Sequence, residues 1–211
     1  MKKSIAVGVI LSMASVSTIA NAGLLENLQE NKFEVTAGKA DLNIGNIKTE
    51  GYSLGFSTEL YPANVDGLSL RLDSRISKLD ASRQEIYNDQ MVGGGYADFK
   101  DDYELEAMDY RLGFSLGWDA ISNDVGIITP YVTAGFNRLT VDAKLHQENL
   151  DYGAHYNFSD SDSSFGVYYG VGLKTVVSDH FVAKVEYTGT TASVFDADVD
   201  RQLNLDIGYR F

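Results

Sequence analysis

The sequence predicts an all-β protein, a transmembrane up-and-down antiparallel β-barrel of eight strands. Three observations predict it: an N-terminal export signal, strands in which large apolar residues alternate with small or charged ones, and connections that alternate in length. After the signal, no apolar run approaches the roughly 20 residues that a transmembrane helix needs. Strands are therefore the segments expected to cross the membrane.

The N-terminus has the features of a cleaved signal peptide. Lys2 and Lys3 precede a short apolar stretch, and small residues then lead to an expected cleavage between Ala22 and Gly23. The chain should therefore leave the cytoplasm. The expected division is a signal peptide, a short N-terminal periplasmic segment and an outer-membrane barrel domain: residues 1–22, 23–31 and 32–211.

Composition excludes several classes of function. The chain has no cysteine, which removes disulfide and thiol chemistry. Its formal net charge of −13 argues against nucleic acid as a partner, because phosphate binding needs a basic surface.

The C-terminal strand shows the period of two most clearly. Its large apolar residues are Leu203, Leu205, Ile207, Tyr209 and Phe211. Because successive side chains of a strand point to opposite faces, the intervening Asn204, Asp206, Gly208 and Arg210 form a second, polar face. The same alternation predicts strands that begin near Tyr52, Leu68, Met108, Phe165 and Phe181, and less regular strands cover about 32–41 and 129–141.

The connections between these strands are expected to lie on two sides of a membrane. Short ones fall near 62–67, 120–127 and 178–180, long ones at about 78–102 and 142–164, and those after the first and seventh strands are intermediate. Short periplasmic turns and long extracellular loops are typical of outer-membrane barrels.

Alternation alone also fits a soluble, lipocalin-like barrel with its apolar face turned inward. Three details favour the membrane: a polar face of small residues and opposite charges, aromatic residues near both ends of the strands, and a last strand that ends on Phe211. Pairing of the last strand with the first would then remove both sheet edges.

Residues 203–211, together with the export signal and the eight strands, resemble the OmpA/OmpX-type small barrels, also grouped as opacity-family porins. The resemblance is architectural and covers essentially 32–211. It implies that Tyr209 and Phe211 belong to a signal read by the barrel-assembly machinery. Because such barrels include anchors, adhesins and serum-resistance factors, the resemblance does not fix a function.

Charged residues on the polar face are the first candidate site. They form either a narrow ion path or a salt-bridged plug, and the small lumen of an eight-stranded barrel favours the plug. The residues are Glu59, Arg71, Asp73, Arg75, Asp109, Arg111, Lys174, Lys184, Glu186, Asp206 and Arg210.

Catalysis is the second candidate, because some outer-membrane barrels modify lipid A with a histidine and a serine. The histidines are His146, His155 and His180, and none lies in a regular predicted membrane strand with a serine two residues away. No enzymatic activity, catalytic residue or cofactor is expected.

The acidic long loops are the third candidate, and they also carry aromatic residues. Divalent-cation binding is one interpretation, but the spacing lacks the pattern of an EF-hand, so no metal site is expected. The aromatic residues could bind a ligand or pack the loops together; they are Tyr87, Tyr96, Phe99, Tyr152, Tyr156 and Phe158.

The favoured function is a non-enzymatic surface protein whose barrel displays acidic extracellular loops for adhesion or other surface interaction. A narrow porin for small solutes or ions and a lipid-A-modifying enzyme are the alternatives. Expected partners are outer-membrane lipid, lipopolysaccharide, the assembly machinery and a host or surface ligand.

Overall fold

The computed structural model describes residues 32–61, 67–92, 95–123 and 125–211. The signal peptide and the segment 23–31 expected from the sequence lie outside these residues. In the described part of the chain, no helix is long and apolar enough to cross a membrane.

Eight long strands and two short ones make up the described structure. They are β1 Phe33–Ile44, β2 Ile47–Tyr61, β3 Leu68–Val92, β4 Gly95–Trp118, β5 Ile121–Asn123, β6 Gly126–Asn149, β7 Ala154–Val177, β8 Phe181–Thr190, β9 Ser193–Val194 and β10 Ala197–Arg210. Each long strand pairs with its neighbours antiparallel, and β10 pairs with β1, so the sheet closes into a ring. The short β5 and β9 pair only with β6 and β10. The predicted eight-stranded antiparallel barrel is confirmed.

The strands of this ring are strongly tilted. Paired residues lead from Lys39 through β2, β3, β4 and β6 to Ser163 on β7. In the other direction they lead through β10 and β8 to Leu173. Since the two paths meet ten residues apart on one strand, each step between neighbouring strands changes the height by about one and a quarter residues.

The two ends of the barrel differ. We call the end where β1 begins and β10 ends the turn end, and the opposite end the hairpin end. Between them, the outward-facing side chains are large, apolar and exposed, as a lipid-facing band requires. They include Leu70, Leu112, Phe114, Leu116, Val132, Phe136, Val167, Tyr169, Val171, Leu205 and Ile207.

The prediction of long loops at about 78–102 and 142–164 is wrong, because strands occupy most of both regions. β3 and β4 stay paired from Leu68↔Trp118 to Val92↔Gly95, and β6 and β7 stay paired to Asn149↔Ala154. The antiparallel ladder continues because the backbone keeps its hydrogen bonds beyond the apolar band. Only the polarity of the outward face changes there, and that change resembles a loop in the sequence.

Other predicted boundaries also need correction. The connection after the first strand is the two-residue turn Gly45-Asn46, in which Gly45 has a positive φ of 55°, so β1 extends to Ile44. The strand predicted at 129–141 spans 126–149. The connections after the fourth and seventh long strands contain β5 and β9.

Candidate functional site

One carboxylate organises the lumen at its turn end. Glu34 on β1 is 3% exposed. Its Oε1 lies 3.1 Å from Lys174 Nζ and 2.8 Å from Arg210 Nη2. Its Oε2 lies 2.8 Å from Lys184 Nζ and 3.8 Å from Arg71 Nη1. The cations come from four other strands, so this cluster links five of the eight long strands.

A second cluster lies in the middle of the lumen. Arg75 forms ion pairs with Glu186 and Asp206. Ser53 Oγ donates to Asp206 at 2.7 Å, and Tyr131 Oη donates to Glu186 at 3.0 Å. Each carboxylate therefore has a charged and a neutral partner, as buried charges require.

Arg111 forms a third cluster closer to the hairpin end. Its Nε donates to Asp109 at 2.6 Å, its Nη1 donates to Thr188 at 2.6 Å, and its Nη2 donates to Gln202. Asn137 Nδ2 donates to the other oxygen of Asp109 at 3.1 Å. These polar groups therefore find hydrogen-bond partners among one another.

Glycines on the lumen face make room for tyrosines that cover the arginines. The Arg71 guanidinium lies 4.9 Å from the centre of the Tyr131 ring, and a Cβ on Gly172 would lie 2.3 Å from that ring. Arg111 is 5.1 Å from the centre of the Tyr168 ring. The small residues noted in the sequence thus allow large side chains to fill the lumen.

The structure brings most of the predicted lumen charges together. Those that are buried are Arg71, Asp109, Arg111, Lys174, Lys184, Glu186, Asp206 and Arg210. Arg75 is 11% exposed. Glu59 and Asp73 are partly buried, and within the described residues neither has an ion pair within 4 Å. Sequence reasoning missed Glu34, although it has the inward phase of Thr36 on β1.

Apolar side chains close the lumen at the hairpin end, and we call them the apolar plug. They are Ala40, Leu42, Ile44, Leu79, Leu105, Ala107, Leu139, Val141, Val194 and Val199, and each is at most 9% exposed. They share the inward phase of the charged residues below them. The lumen is therefore polar near the turn end and apolar near the hairpin end.

Sequence reasoning missed the apolar plug, although a signal for it exists. On β4 the inward residues change from Arg111 and Asp109 to Ala107 and Leu105, while the outward residues change from Met108 to Glu106 and Glu104. This exchange of polar and apolar faces is expected where a strand leaves lipid and enters water. It marks the boundary of the lipid-facing band toward the hairpin end.

Little space remains among the lumen charges. A cavity of about 20 Å³ is lined by residues that include Arg71, Asp73, Arg75 and Lys184. This volume suits about one water molecule. A solute could cross the barrel only if the ion pairs and the apolar plug moved.

Beyond the apolar plug, β3, β4, β6 and β7 continue as a four-stranded sheet, which we call the projecting sheet (81–92, 95–105, 143–149 and 154–165). Its inner face continues the lumen face and carries exposed aromatic rings. Tyr87, Tyr103, Tyr156 and Phe158 are 37%, 36%, 50% and 59% exposed. The predicted loop aromatics Tyr87, Phe99, Tyr156 and Phe158 thus share one face, whereas Tyr152 lies in the exposed β6–β7 turn.

Hydrogen bonds hold the inner face of the projecting sheet in place. Asp101 is 5% exposed and accepts from Gln147 at 3.0 Å and from Tyr103 at 3.1 Å. Tyr87 donates to Glu85, and this hydrogen bond raises the pKa of the Tyr87 phenol. The phenol therefore remains a donor at neutral pH.

Comparison with known proteins identifies the family. The model of the outer membrane protein beta-barrel domain matches residues 7–211. The chain belongs to this family. The protein is therefore located in the outer membrane, and the predicted resemblance to small outer-membrane barrels is confirmed. The hairpin end is extracellular and the turn end periplasmic, since outer-membrane barrels extend their long connections outside the cell, and the long β3–β4 and β6–β7 hairpins leave the lipid-facing band at the hairpin end.

The chain is similar to several solved structures of outer-membrane proteins. The attachment invasion locus protein Ail of Yersinia pestis, solved in complex with the heparin analogue sucrose octasulfate, is 16% identical, with 86% of this chain and 99% of that chain covered and a TM-score of 0.52. OprG from Pseudomonas aeruginosa is 12% identical over 86% and 96%, with a TM-score of 0.48. Neisserial surface protein A is 16% identical over 85% and 95%, with a TM-score of 0.44. No curated protein sequence matches the chain.

In this outer-membrane barrel His146 and His155 lie on neighbouring strands of the projecting sheet, and His180 lies at the opposite end of the barrel. His146 Nδ1 lies 2.7 Å from Asn157 Oδ1 on the outer face of the projecting sheet. His180 lies at the periplasmic end, where its ring stacks on Tyr209 at 5.1 Å. In the described part of the chain, no histidine is hydrogen-bonded to a serine, and no group of three His, Cys, Asp or Glu residues could hold a metal ion.

Proposed function

We propose that the protein is a non-enzymatic surface protein whose barrel anchors an acidic, aromatic interaction surface outside the cell. The observation that carries this proposal is the projecting sheet, which extends four strands well beyond the lipid-facing band. Because its strands continue from the barrel wall, the surface is held rigidly. Adhesion or another surface interaction is the role that such a surface would serve.

The chemistry of the inner face favours a protein partner. Exposed tyrosine and phenylalanine side chains are enriched where proteins bind one another, because they bury much area with little loss of rotamer freedom. Tyr156 and Phe158 are half or more exposed, and they share the inner face with Tyr103 and Asp101, with β6 between them. A partner could bury these rings without rearranging the sheet.

The charge of the projecting sheet further narrows the partner. Residues 81–105 and 143–165 contain ten acidic and three basic side chains. Ail was solved with a heparin analogue, but an excess of carboxylates would repel such a polyanion here. We therefore expect a neutral or basic ligand.

The lumen supports a structural role for the barrel rather than a porin. Three clusters of ion pairs and hydrogen bonds fill the polar part, and the apolar plug covers it on the extracellular side. Separation of the histidines from serine hydroxyls likewise argues against a lipid-A-modifying enzyme, which needs a nucleophile and a base in contact.

The end of β10 supports the proposed role of Tyr209 and Phe211 in assembly. The two rings pack edge to face at 5.0 Å, and Phe211 lies 6.4 Å from Phe33. They form part of an aromatic group at the periplasmic rim, where β10 meets β1. This position is accessible to the barrel-assembly machinery before the ring closes.

The double substitution Tyr156→Ser and Phe158→Ser is expected to lower adhesion at least about tenfold, because interface aromatics often dominate binding energy. The measurement is attachment of bacteria displaying the full-length protein to cultured host cells or immobilised matrix proteins. Surface amounts are matched, and folding is checked by heat modifiability in gels.

The matched control is Ile86→Ser, which removes an exposed apolar side chain (57% exposed) from the outer face of the same projecting sheet. This variant should adhere like the parent protein. Equal adhesion of the parent and the double variant would contradict the assignment of the inner face. Absence of adhesion in the parent to any surface tested would contradict the adhesive role itself.

A further inference from the structure

On four of the long strands the outward-facing charge nearest the lipid band is basic, although the chain is acidic overall. The first outward charge above the band is Lys39 on β1, Lys78 on β3, Arg138 on β6 and Arg201 on β10. On β2 and β4 the first outward charge is acidic, and on β1 Asp41 follows Lys39 at about the height of the other cations. We call the four cations the belt, and they lie near the extracellular boundary of the membrane.

Lys78 and Arg138 lie on one side of this belt at nearly the same height. The pairing runs from Lys78 on β3 through Met108 on β4 to Thr140 on β6. Because the strands are tilted, these two steps place Thr140 about two and a half residues closer to the hairpin end than Lys78. Arg138 is two residues below Thr140, so it lies at nearly the height of Lys78. Tyr110, which is 40% exposed, lies on β4 between the two cations.

The exposed Arg138 is positioned to bind an anion. Its guanidinium lies 5.3 Å from the centre of the Phe165 ring, within range of a cation–π contact. Within the described residues Arg138 has no ion pair, and Lys78 has only long contacts of 3.7 Å and 3.8 Å with Asp80 and Glu106. Exposed contacts of that length contribute little.

An apolar groove lies below these cations on the lipid-facing surface of the same strands. It has a volume of about 450 Å³ and is lined by side chains that include Phe114, Leu116, Val132, Ala134 and Tyr169. The small side chain of Ala134 lies between those of Phe114 and Tyr169, with which it is paired across the sheet. The groove exists because one small residue interrupts a surface of large ones.

We propose that this face binds one lipopolysaccharide molecule, with a lipid A phosphate on Arg138 and Lys78 and an acyl chain in the groove at Ala134. The occupant is argued from charge and from depth. Phosphate is the anion that lies just above the acyl chains of the outer leaflet, and Arg binds it through paired N–H groups. The site shares only Phe165, at the base of the projecting sheet, with that sheet, and it does not depend on the proposed surface interaction.

The test is native mass spectrometry of the purified full-length barrel in detergent with added bisphosphorylated lipid A. One bound lipid A is expected. Arg138→Gln should weaken binding about tenfold, because a charge-assisted hydrogen bond to the phosphate is lost. Ala134→Phe should also weaken binding, since it fills the groove without changing charge. Monophosphoryl lipid A should bind less well than the bisphosphorylated form.

Arg201→Gln is the matched control, because it removes an outward cation of the belt on the other side of the barrel. It should bind lipid A like the parent protein. Equal weakening by Arg201→Gln and Arg138→Gln would overturn the site in favour of diffuse attraction. Competition by millimolar inorganic phosphate, with no effect of Ala134→Phe, would overturn the lipid in favour of a free anion.

Discussion

Replacement of Glu34 by glutamine is expected to lower the free energy of unfolding by about 3–5 kcal/mol, the range found when one member of a buried ion pair is removed. Glu34 is 3% exposed and lies within 4 Å of cations from β3, β7, β8 and β10. Glutamine preserves the shape but leaves these cations without their shared carboxylate. Urea unfolding in detergent micelles, followed by the fluorescence of Trp118, measures the loss.

The control is Glu50→Gln, because Glu50 is exposed on the outside of β2 and pairs with the exposed Lys48. An exposed pair of this kind contributes at most about 1 kcal/mol. Equal stabilities of Glu34→Gln and the parent would contradict the central position of Glu34 in the lumen.

Replacement of Leu139 by alanine is expected to destabilise the barrel by about 2–5 kcal/mol, as in other buried leucine-to-alanine changes. Leu139 is fully buried in the apolar plug, where it packs with neighbours from the other strands. The loss combines the transfer free energy of the removed carbons with the cavity left behind. The same urea titration measures it.

Leu150→Ala serves as the control because Leu150 is 46% exposed in the β6–β7 turn. Its substitution should change stability by less than about 0.5 kcal/mol, as expected for surface positions. A Leu139→Ala barrel as stable as Leu150→Ala would show that the apolar plug is loosely packed.

The membrane part of the fold could be predicted from sequence because its two faces differ strongly. The alternation from Leu203 to Phe211 predicts both the strand and which of its faces points to the lipid, and other strands repeat the alternation. Strand ends could not be predicted equally well. The ladder of β3 and β4 continues to Val92↔Gly95 through residues whose outward face is polar, so hydropathy marks the edge of the lipid rather than the end of the strand.

The composition of the lumen could be predicted more easily than its partnerships. A period of two assigns Lys174 and Arg210 to the inner face. Their contact with Glu34 depends on ring closure and on the tilt of the strands, which bring together residues 140 and 176 positions apart. The apolar plug was missed because its leucines share the phase of charged residues, and because Leu79 falls within a predicted long loop.

Conductance of the purified full-length barrel in planar lipid bilayers tests most directly the claim that the lumen is closed and that function lies on the surface. The packed ion pairs and the apolar plug should leave the bilayer without steady channels, apart from brief, small events. Steady channels of large conductance, reproduced in each preparation, would contradict this claim and favour a porin.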